Sequence, residues 1–262
     1  HFYPENFRIN DFALAFKKRG HNISVLTAIP DYPKGKFFDG YGFFKKNRET
    51  LKGINIFRAP HIPRGSGSNF MLSLHYLSFV IGSIITSLFI IRTKIDIIFV
   101  YGPSPITVAI PAIFIKKIKD KPICFWVHDL WPESVISAGN LKSKFIPKIL
   151  TTLVKFIYKN CDKILVSSEG FINSIVEKGI DAGKIEFFPQ WAEPLFKPVK
   201  KNYDLLANLI PENSFKIMFA GNIGEAQDFP SILEAARLLR HAQDIQWVVL
   251  GGGRREEWVK SK

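Results

Sequence analysis

Ile123-Cys124-Phe125-Trp126-Val127-His128-Asp129-Leu130-Trp131-Pro132-Glu133 is the stretch that decides the fold. Its first five residues are an unbroken apolar run, the pattern of a strand covered on both faces in a parallel sheet. A polar turn follows at the strand's carboxyl end, where open parallel sheets bind their ligands. Pro132 suits the first turn of a helix, with Asp129 or Trp131 near its cap. Capping and packing explain Asp129 and Trp131 as readily as function does. His128, polar and next to a buried strand end, reads as a ligand-binding residue.

Outward from this unit the chain repeats it. Strands are expected at Ile23–Thr27, Ile54–Arg58, Asp96–Tyr101, Lys163–Ser167, Ile185–Phe188, Phe215–Ala220 and Gln246–Leu250. Helices are expected near 6–19, 70–92, 104–119, 142–160, 168–178 and 229–241. Alternation of this kind gives an α/β, doubly wound architecture. Pro189, Pro194, Pro198 and Pro211 punctuate a stretch without strands, so residues 1–189 form one Rossmann-like domain, 190–213 a linker and 214–262 the start of a second. The first strand of the first domain and the remainder of the second are expected to lie outside the 262 residues, as in a fragment of a longer protein. Met71–Ile91 carries no charge and is long enough to span a bilayer. The strands before and after it read as members of one sheet, and Ser73, His75, Ser78, Ser83, Thr86 and Ser87 interrupt it. A buried or interfacial helix is the expectation, not a span.

An apolar fraction of 47% supports a real core and excludes a mostly disordered chain. Cys124 and Cys161 are too few for a disulfide scaffold, and no Cys/His spacing marks a zinc site. His21, His61, His75 and His241 fall on different elements without paired spacing, so no metal site is expected. The net charge of +13 is uneven: residues 1–189 carry 26 Lys/Arg against 14 Asp/Glu, residues 190–262 carry 10 against 9. Such a field suits a fixed anionic partner. Between 34 and 64, Lys34, Lys36, Lys45, Lys46, Arg48, Lys52, Arg58 and Arg64 interleave with Phe37, Phe38, Tyr41, Phe43 and Phe44. A solvated loop and a single-strand stacking surface are both open readings, but a membrane-surface patch fits better, with Lys142, Lys144, Lys148, Lys155 and Lys159 extending it.

Gly221-Asn222-Ile223-Gly224 follows the strand Phe215–Ala220 and precedes a helix near Asp228. Small residues there let backbone amides approach a phosphate, although any tight turn favours glycine. Gly251-Gly252-Gly253 could serve the same ligand or form a tight corner. Neither is the dinucleotide fingerprint, and no GxSxG elbow, P-loop or Asp-x-Asp is present.

Tyr3-Pro4-Glu5, Arg19-Gly20-His21 and Pro30-Asp31-Tyr32-Pro33-Lys34-Gly35, taken in order, resemble family 4 glycosyltransferases. His128 to Ser134, Pro189-Gln190-Trp191-Ala192-Glu193 and Phe219 to Asp228 continue the likeness, closest to the WbuB-like branch of O-antigen, capsule and colanic acid assembly. The resemblance covers essentially the whole chain. It implies a GT-B fold with the active site between two Rossmann-like domains, the second incomplete here. It implies a retaining, metal-independent transfer without cofactor, from a nucleotide-diphosphate sugar to a polyprenyl-diphosphate-linked acceptor. The protein would work in the cytoplasm, peripherally on the anionic inner-membrane surface, with no nucleic acid partner.

By that resemblance His128 is catalytic, contacting the donor sugar and helping to stabilise charge at the reacting carbon. Gly221, Asn222, Ile223, Gly224 and Gln227 bind the donor; Tyr3, Glu5, Arg8, Asp129 and Glu133 lie on the acceptor side. Many relatives have Arg and Lys where this chain has Asn222 and Gln227, which shifts the diphosphate contact to backbone amides. The family's Glu-x7-Glu segment would lie beyond Lys262, so near-inactivity of the isolated piece is the expectation. The rival readings are a non-catalytic binder of anionic surfaces, indifferent to nucleotide sugars, and a dinucleotide-dependent oxidoreductase or epimerase, disfavoured by the missing fingerprint.

Overall fold

The computed structural model describes residues 7–32, 34–65, 68–90, 92–139, 145–192, 196–200 and 213–262. The chain divides into two compact units: His1–Ser134 with Leu141–Glu193, and Val135–Asn140 with Pro194–Lys262.

The first unit is built on a four-stranded parallel sheet, β4(Ile98–Gly102), β5(Ile123–Val127), β6(Lys163–Val166) and β7(Ile185–Phe187), in that spatial order. Its register stacks Val100, Phe125 and Ile164 across three strands, all buried. The apolar run of β5 is explained directly, since Ile123, Phe125, Trp126 and Val127 are almost wholly enclosed. Each such side chain contributes roughly 1.5–3 kcal/mol by leaving water. α3(Ile110–Lys119) packs on β4 and β5, and α5(Phe145–Asn160) packs on α3. In α5 the buried Val154, Ile157 and Tyr158 recur at helical spacing and give one inward stripe. Lys116 of α3 donates to Asp162, which also accepts from the Ile123 amide at 2.7 Å, fixing the start of β5.

A second sheet belongs to the same unit. β1(Ser24–Ala28) runs parallel to β3(Ile54–Ala59), and β2(Arg48–Leu51) pairs antiparallel on the far side of β3. Three expectations are corrected here. The strands flanking the apolar helix are not one sheet among the described residues: β1 and β3 bond to each other and β4 to β5. Hydropathy records that a strand is covered, not which strand it bonds. β2 was not expected, because Arg48-Glu49-Thr50-Leu51 is a polar edge strand with no apolar run. The helix expected over 104–119 is also divided, into a 3₁₀ turn at Ile106–Ala109 and α3, with Pro111 in the first turn of α3, where no amide hydrogen is needed.

α2(Asn69–Ile90) is the long apolar helix, and it packs on β1, β3 and α3. Its sidedness is reversed relative to an ordinary core helix. Ser83, Thr86 and Ser87 are buried, while Phe70, Leu77, Ile81, Ile85, Leu88 and Phe89 are exposed. Two of these inward hydroxyls are satisfied by their own helix, Thr86 donating to Gly82 O and Ser87 to Ile84 O, while Ser83 Oγ has no hydrogen-bond partner among the described residues. Gly82 lets the helix approach closely, since a Cβ there would lie 1.9 Å from Pro60 O. Ser78 receives the Ile62 amide at 2.9 Å, so small and polar groups make the seam.

The remaining helices of the first unit include α1(Phe7–Lys18) and α6(Gly170–Glu177), and α4(Glu133–Gly139) crosses from the first unit to the second. Among its described residues the second unit holds two parallel strands, β8(Phe215–Ala220) and β9(Ile245–Leu250), with α7(Phe229–Leu238) between them and α8(Glu256–Lys260) after. Buried Phe229 packs edge-on against Phe219, centroids 5.0 Å apart, seating α7 on β8.

Candidate functional site

His128 stands at the carboxyl end of β5, and its backbone amide donates to Gly102 O at the end of β4. That bond extends the ladder by one residue and fixes the ring's starting point. The imidazole lies against Trp126 and Tyr101, with centroids 4.2 and 4.5 Å away. Trp126 is itself stacked on Trp191 at 5.7 Å, and Phe12 of α1 stacks on the same indole at 6.1 Å. An aromatic platform from β5, α1 and the segment after β7 therefore supports His128.

The ring's chemistry is set by Gln190. The Gln190 side chain lies 2.6 Å from His128 Nδ1, and its amide oxygen accepts from Arg8 Nη1. Arginine can only donate, so the oxygen must face Arg8 and the NH₂ must face the imidazole. Nδ1 is then the acceptor, and the ring proton sits on Nε2. Nε2 is buried and has no hydrogen-bond partner. Burial, and after it the positive charge of Arg8, push the imidazole down from 6.5 to about 4. At neutral pH His128 is an uncharged ring presenting one N–H donor.

The other residues singled out at this strand end are placed differently. Asp129 is exposed and accepts from the Ser104 amide at 3.2 Å, so it ties down the loop after β4 instead of capping α4. Trp131 is buried and donates to Ser104 Oγ at 2.9 Å, a second tie to the same loop. Glu133 points to α6, accepting from Lys178 at 2.6 Å and Ser174 at 3.0 Å. Burial alone would raise its carboxyl, but those hydrogen bonds outweigh it and hold the group below the usual range. Arg8 joins the His128 group through Gln190. Tyr3 and Glu5 lie outside the described residues. Gln190 is the residue that sequence reasoning missed; it sits in the quoted Pro189–Glu193 motif, but its role depends on a contact 62 positions away.

In the second unit the two glycine turns interlock. Gly221 and Ile223 donate to Leu250 O and Gly252 O, both at 2.9 Å, and Arg255 N returns a bond to Ile223 O. A Cβ on Gly251 would lie 1.8 Å from Gly221 O, at a φ of +147° that disfavours side chains. Gly251–Gly253 is thus a tight corner against the first turn. Two of the four turn amides are taken by this pairing, which leaves Asn222 and Gly224 outside it. Asn222 Nδ2 reaches Gln227 Oε1 at 3.4 Å, and Asp228 accepts from Ser231 at the start of α7.

Cys124 and Cys161 are free thiols pushed up to about 11 and 12, chiefly by burial, and neither is a nucleophile at neutral pH. The basic stretch is partly internal: Arg58 is buried, bonded to Glu49 and to Ala28 O, and lies over the Tyr41 ring. Lys34, Lys46 and Arg64 likewise cover Phe38, Tyr41 and Tyr32. Those aromatics are engaged by the chain's own cations, whereas Phe43 and Phe44 remain exposed. Lys142 and Lys144 lie outside the described residues. The histidines taken as scattered do meet in one place: Asp31, His61 and His75 each bring a ligand atom within 4.8 Å of the others.

Residues 7–192 match the model of Glycosyltransferase Family 4. The chain is 28% identical over 244 residues to the putative colanic acid biosynthesis glycosyl transferase WcaI of Escherichia coli (strain K12), covering 90% of this chain and 59% of that protein. It is 32% identical over 138 residues to the probable glycosyltransferase WbjE of Pseudomonas aeruginosa, covering 51% of this chain and 34% of that protein. The chain therefore spans less than two thirds of the length of the curated relatives it matches. Among solved structures, Anabaena HepE in complex with UDP and glucose aligns with a TM-score of 0.55 at 14% identity, covering 80% of this chain and 51% of that one. HepE in complex with UDP-glucose aligns at 0.53 and 11%, with the same coverage. At such identities the likeness is one of fold.

Proposed function

The chain belongs to Glycosyltransferase Family 4, and from this we propose that the protein carrying it transfers a sugar from a nucleotide diphosphate to a lipid-linked acceptor in cell-surface polysaccharide assembly. The observation that carries the reading is the Arg8–Gln190–His128 relay, which leaves a neutral imidazole with a buried Nε2–H. Such a group donates to a hydroxyl of the donor sugar. Its neutrality matters as much as its donor. Glycosyl transfer develops positive charge at the anomeric carbon, and an imidazolium beside that carbon would oppose it. The lowered affinity for a second proton keeps the ring uncharged across the physiological range.

The donor's diphosphate is assigned to the Asn222 and Gly224 amides of the second unit, with Gln227 beside them and no metal at the phosphates. Uridine diphosphate is the favoured base, by analogy with the ligands of HepE. The reaction retains configuration, as the family resemblance implies. Residues 1–189 take the acceptor side and 214–262 the donor side. Glu133, held by Lys178, acts on the acceptor only through the position of α4.

A peripheral membrane location is part of this proposal. The outward apolar residues of α2 are joined through α3 to α5, where Phe145, Ile149 and Phe156 are exposed beside Lys148 and Lys159. Apolar rings with flanking lysines suit the headgroup layer of an anionic leaflet. The rival, a binder of anionic surfaces without catalysis, is separated by His128→Ala. Transfer of radiolabelled sugar from UDP donors to polyprenyl-diphosphate acceptor should fall by about 10²–10³-fold, with binding to anionic phospholipid vesicles unchanged. Transfer unaffected by the substitution, or absent from the unsubstituted protein with every nucleotide sugar, would favour the binder.

A further inference from the structure

Between β1 and β2 the chain makes a tight turn whose tip is Phe43-Phe44-Lys45-Lys46. Phe44 is 97% exposed, more than any other large apolar side chain among the described residues. A scattered exposed apolar residue needs no account, but this one is held out by a fixed frame. The Lys45 amide donates to Gly42 O at 3.1 Å and closes the turn, and Asn47 Nδ2 donates to Phe43 O. The Arg58 amide donates to Asn47 O at 2.8 Å, which ties the turn to β3. Phe43 packs edge-on against Phe37 with centroids 5.6 Å apart, and Phe37 packs on buried His61 at 5.4 Å. The base of the turn is thus joined to the core, while its tip presents a phenyl ring to water.

The charges around that ring have one sign. From 34 to 48, Lys34, Lys36, Lys45, Lys46 and Arg48 are exposed against one exposed acid, Asp39. The neighbouring Glu49 is already paired with Arg58. Lys46 lies over the Tyr41 ring at 5.0 Å, so a cation is seated beside apolar surface at the tip itself. An exposed ring within a collar of cations matches a layered partner, with acyl chains beneath anionic headgroups. Two copies of the chain meeting at this patch would set like charges together. Single-stranded nucleic acid stacks on successive rings along a groove, whereas the turn offers its free ring at a tip.

We propose that the Phe43–Lys46 turn is a lipid-insertion point: Phe44 enters the acyl boundary of an anionic phospholipid bilayer while Lys45, Lys46 and Arg48 meet the headgroup phosphates. The inference rests on the peripheral membrane location proposed above and adds an anchor separate from α2 and α5. Burying one phenyl ring changes partition by roughly ten- to a hundredfold, so a single residue at a fixed tip carries a large share of the binding. Because the turn is tied to β3, insertion orients the first unit as well as holding it.

The test is cosedimentation of the whole chain with phospholipid vesicles. Binding is expected to mixed phosphatidylglycerol and phosphatidylcholine, and only weakly to phosphatidylcholine alone. Phe44→Ser should weaken it by about tenfold and Lys45→Gln by about fivefold, whereas Phe44→Trp should preserve it. A side chain exposed to this degree supports no packing, so Phe44→Ser should keep the circular dichroism and thermal midpoint of the unsubstituted chain. Equal vesicle binding by Phe44→Ser would overturn the inference and leave the membrane location to α2 and α5. Absence of vesicle binding by the unsubstituted chain would overturn the inference and the membrane location together, with sugar transfer still tested through His128. Binding of an oligo(dT) strand, or self-association, that is lost in Phe44→Ser while vesicle binding persists would also overturn it, assigning the tip to nucleic acid or to a second copy.

Discussion

His128 and His61 occupy comparable places, each close behind the carboxyl end of a strand in the same unit, yet they are set up for opposite chemistry. In both, Nε2 is buried without a hydrogen-bond partner. At His128 the group facing Nδ1 is the Gln190 side-chain amide, which donates, so Nε2 becomes an N–H donor. At His61 the group facing Nδ1 is the Ala59 carbonyl, which accepts, so Nε2 becomes a lone pair. One neighbour's polarity decides whether the same imidazole offers an N–H or a lone pair at Nε2. The tautomer is a property of the surroundings, and the residue name alone does not contain it.

Gln190→Glu probes this difference without emptying the site. The carboxylate keeps its pairing with Arg8 but can no longer donate to Nδ1, so the His128 proton should move to Nδ1 and Nε2 should become an acceptor. Transfer should fall about 100-fold while the thermal midpoint stays close to that of the unsubstituted protein. Restoration by Gln190→Asn, in part, would distinguish tautomer control from simple loss of packing. Activity indifferent to Gln190→Glu would mean that the relay does not govern His128.

A smaller effect sharpens the comparison from the other side, because Glu133 is a polar residue at the same strand end whose partners are already taken. Removing it by Glu133→Ala strands Lys178, which is only 8% exposed, without its counter-charge. Glu133 is itself 46% exposed, so solvent screening cuts the cost to about 1–2 kcal/mol of stability in denaturant unfolding. Transfer by the folded variant should change less than about twofold in KM for acceptor. A large rise in that KM would return Glu133 to direct acceptor contact.

The strand–turn unit around β5 was legible because five apolar residues in a row have few other readings, and the polar residue ending them had to lie at the sheet's edge. The α/β alternation was legible for the same reason. The reversed sidedness of α2 was not, since hydropathy sums over a helix and cannot say which face meets the protein. Ser83 and Ser87 look like interruptions in an apolar run, but they are its inward face. Gln190 and His128 are 62 positions apart, and Asp31, His61 and His75 sit on three separate elements. Neither grouping leaves a local spacing, because strand order and helix docking make them neighbours. Arg58 was read as surface charge because nothing local announces that Glu49, from an unexpected edge strand, would pair with it inside.

The most direct measurement is nitrogen-15 NMR of the histidine side chains as a function of pH. For His128, Nδ1 should resonate as an unprotonated nitrogen and Nε2 as N–H, with the ring remaining neutral until pH falls to about 4. A ring protonated at Nδ1, or one that gains its second proton near the ordinary value of 6.5, would contradict the assignment of His128 as a neutral Nε2–H donor to the sugar.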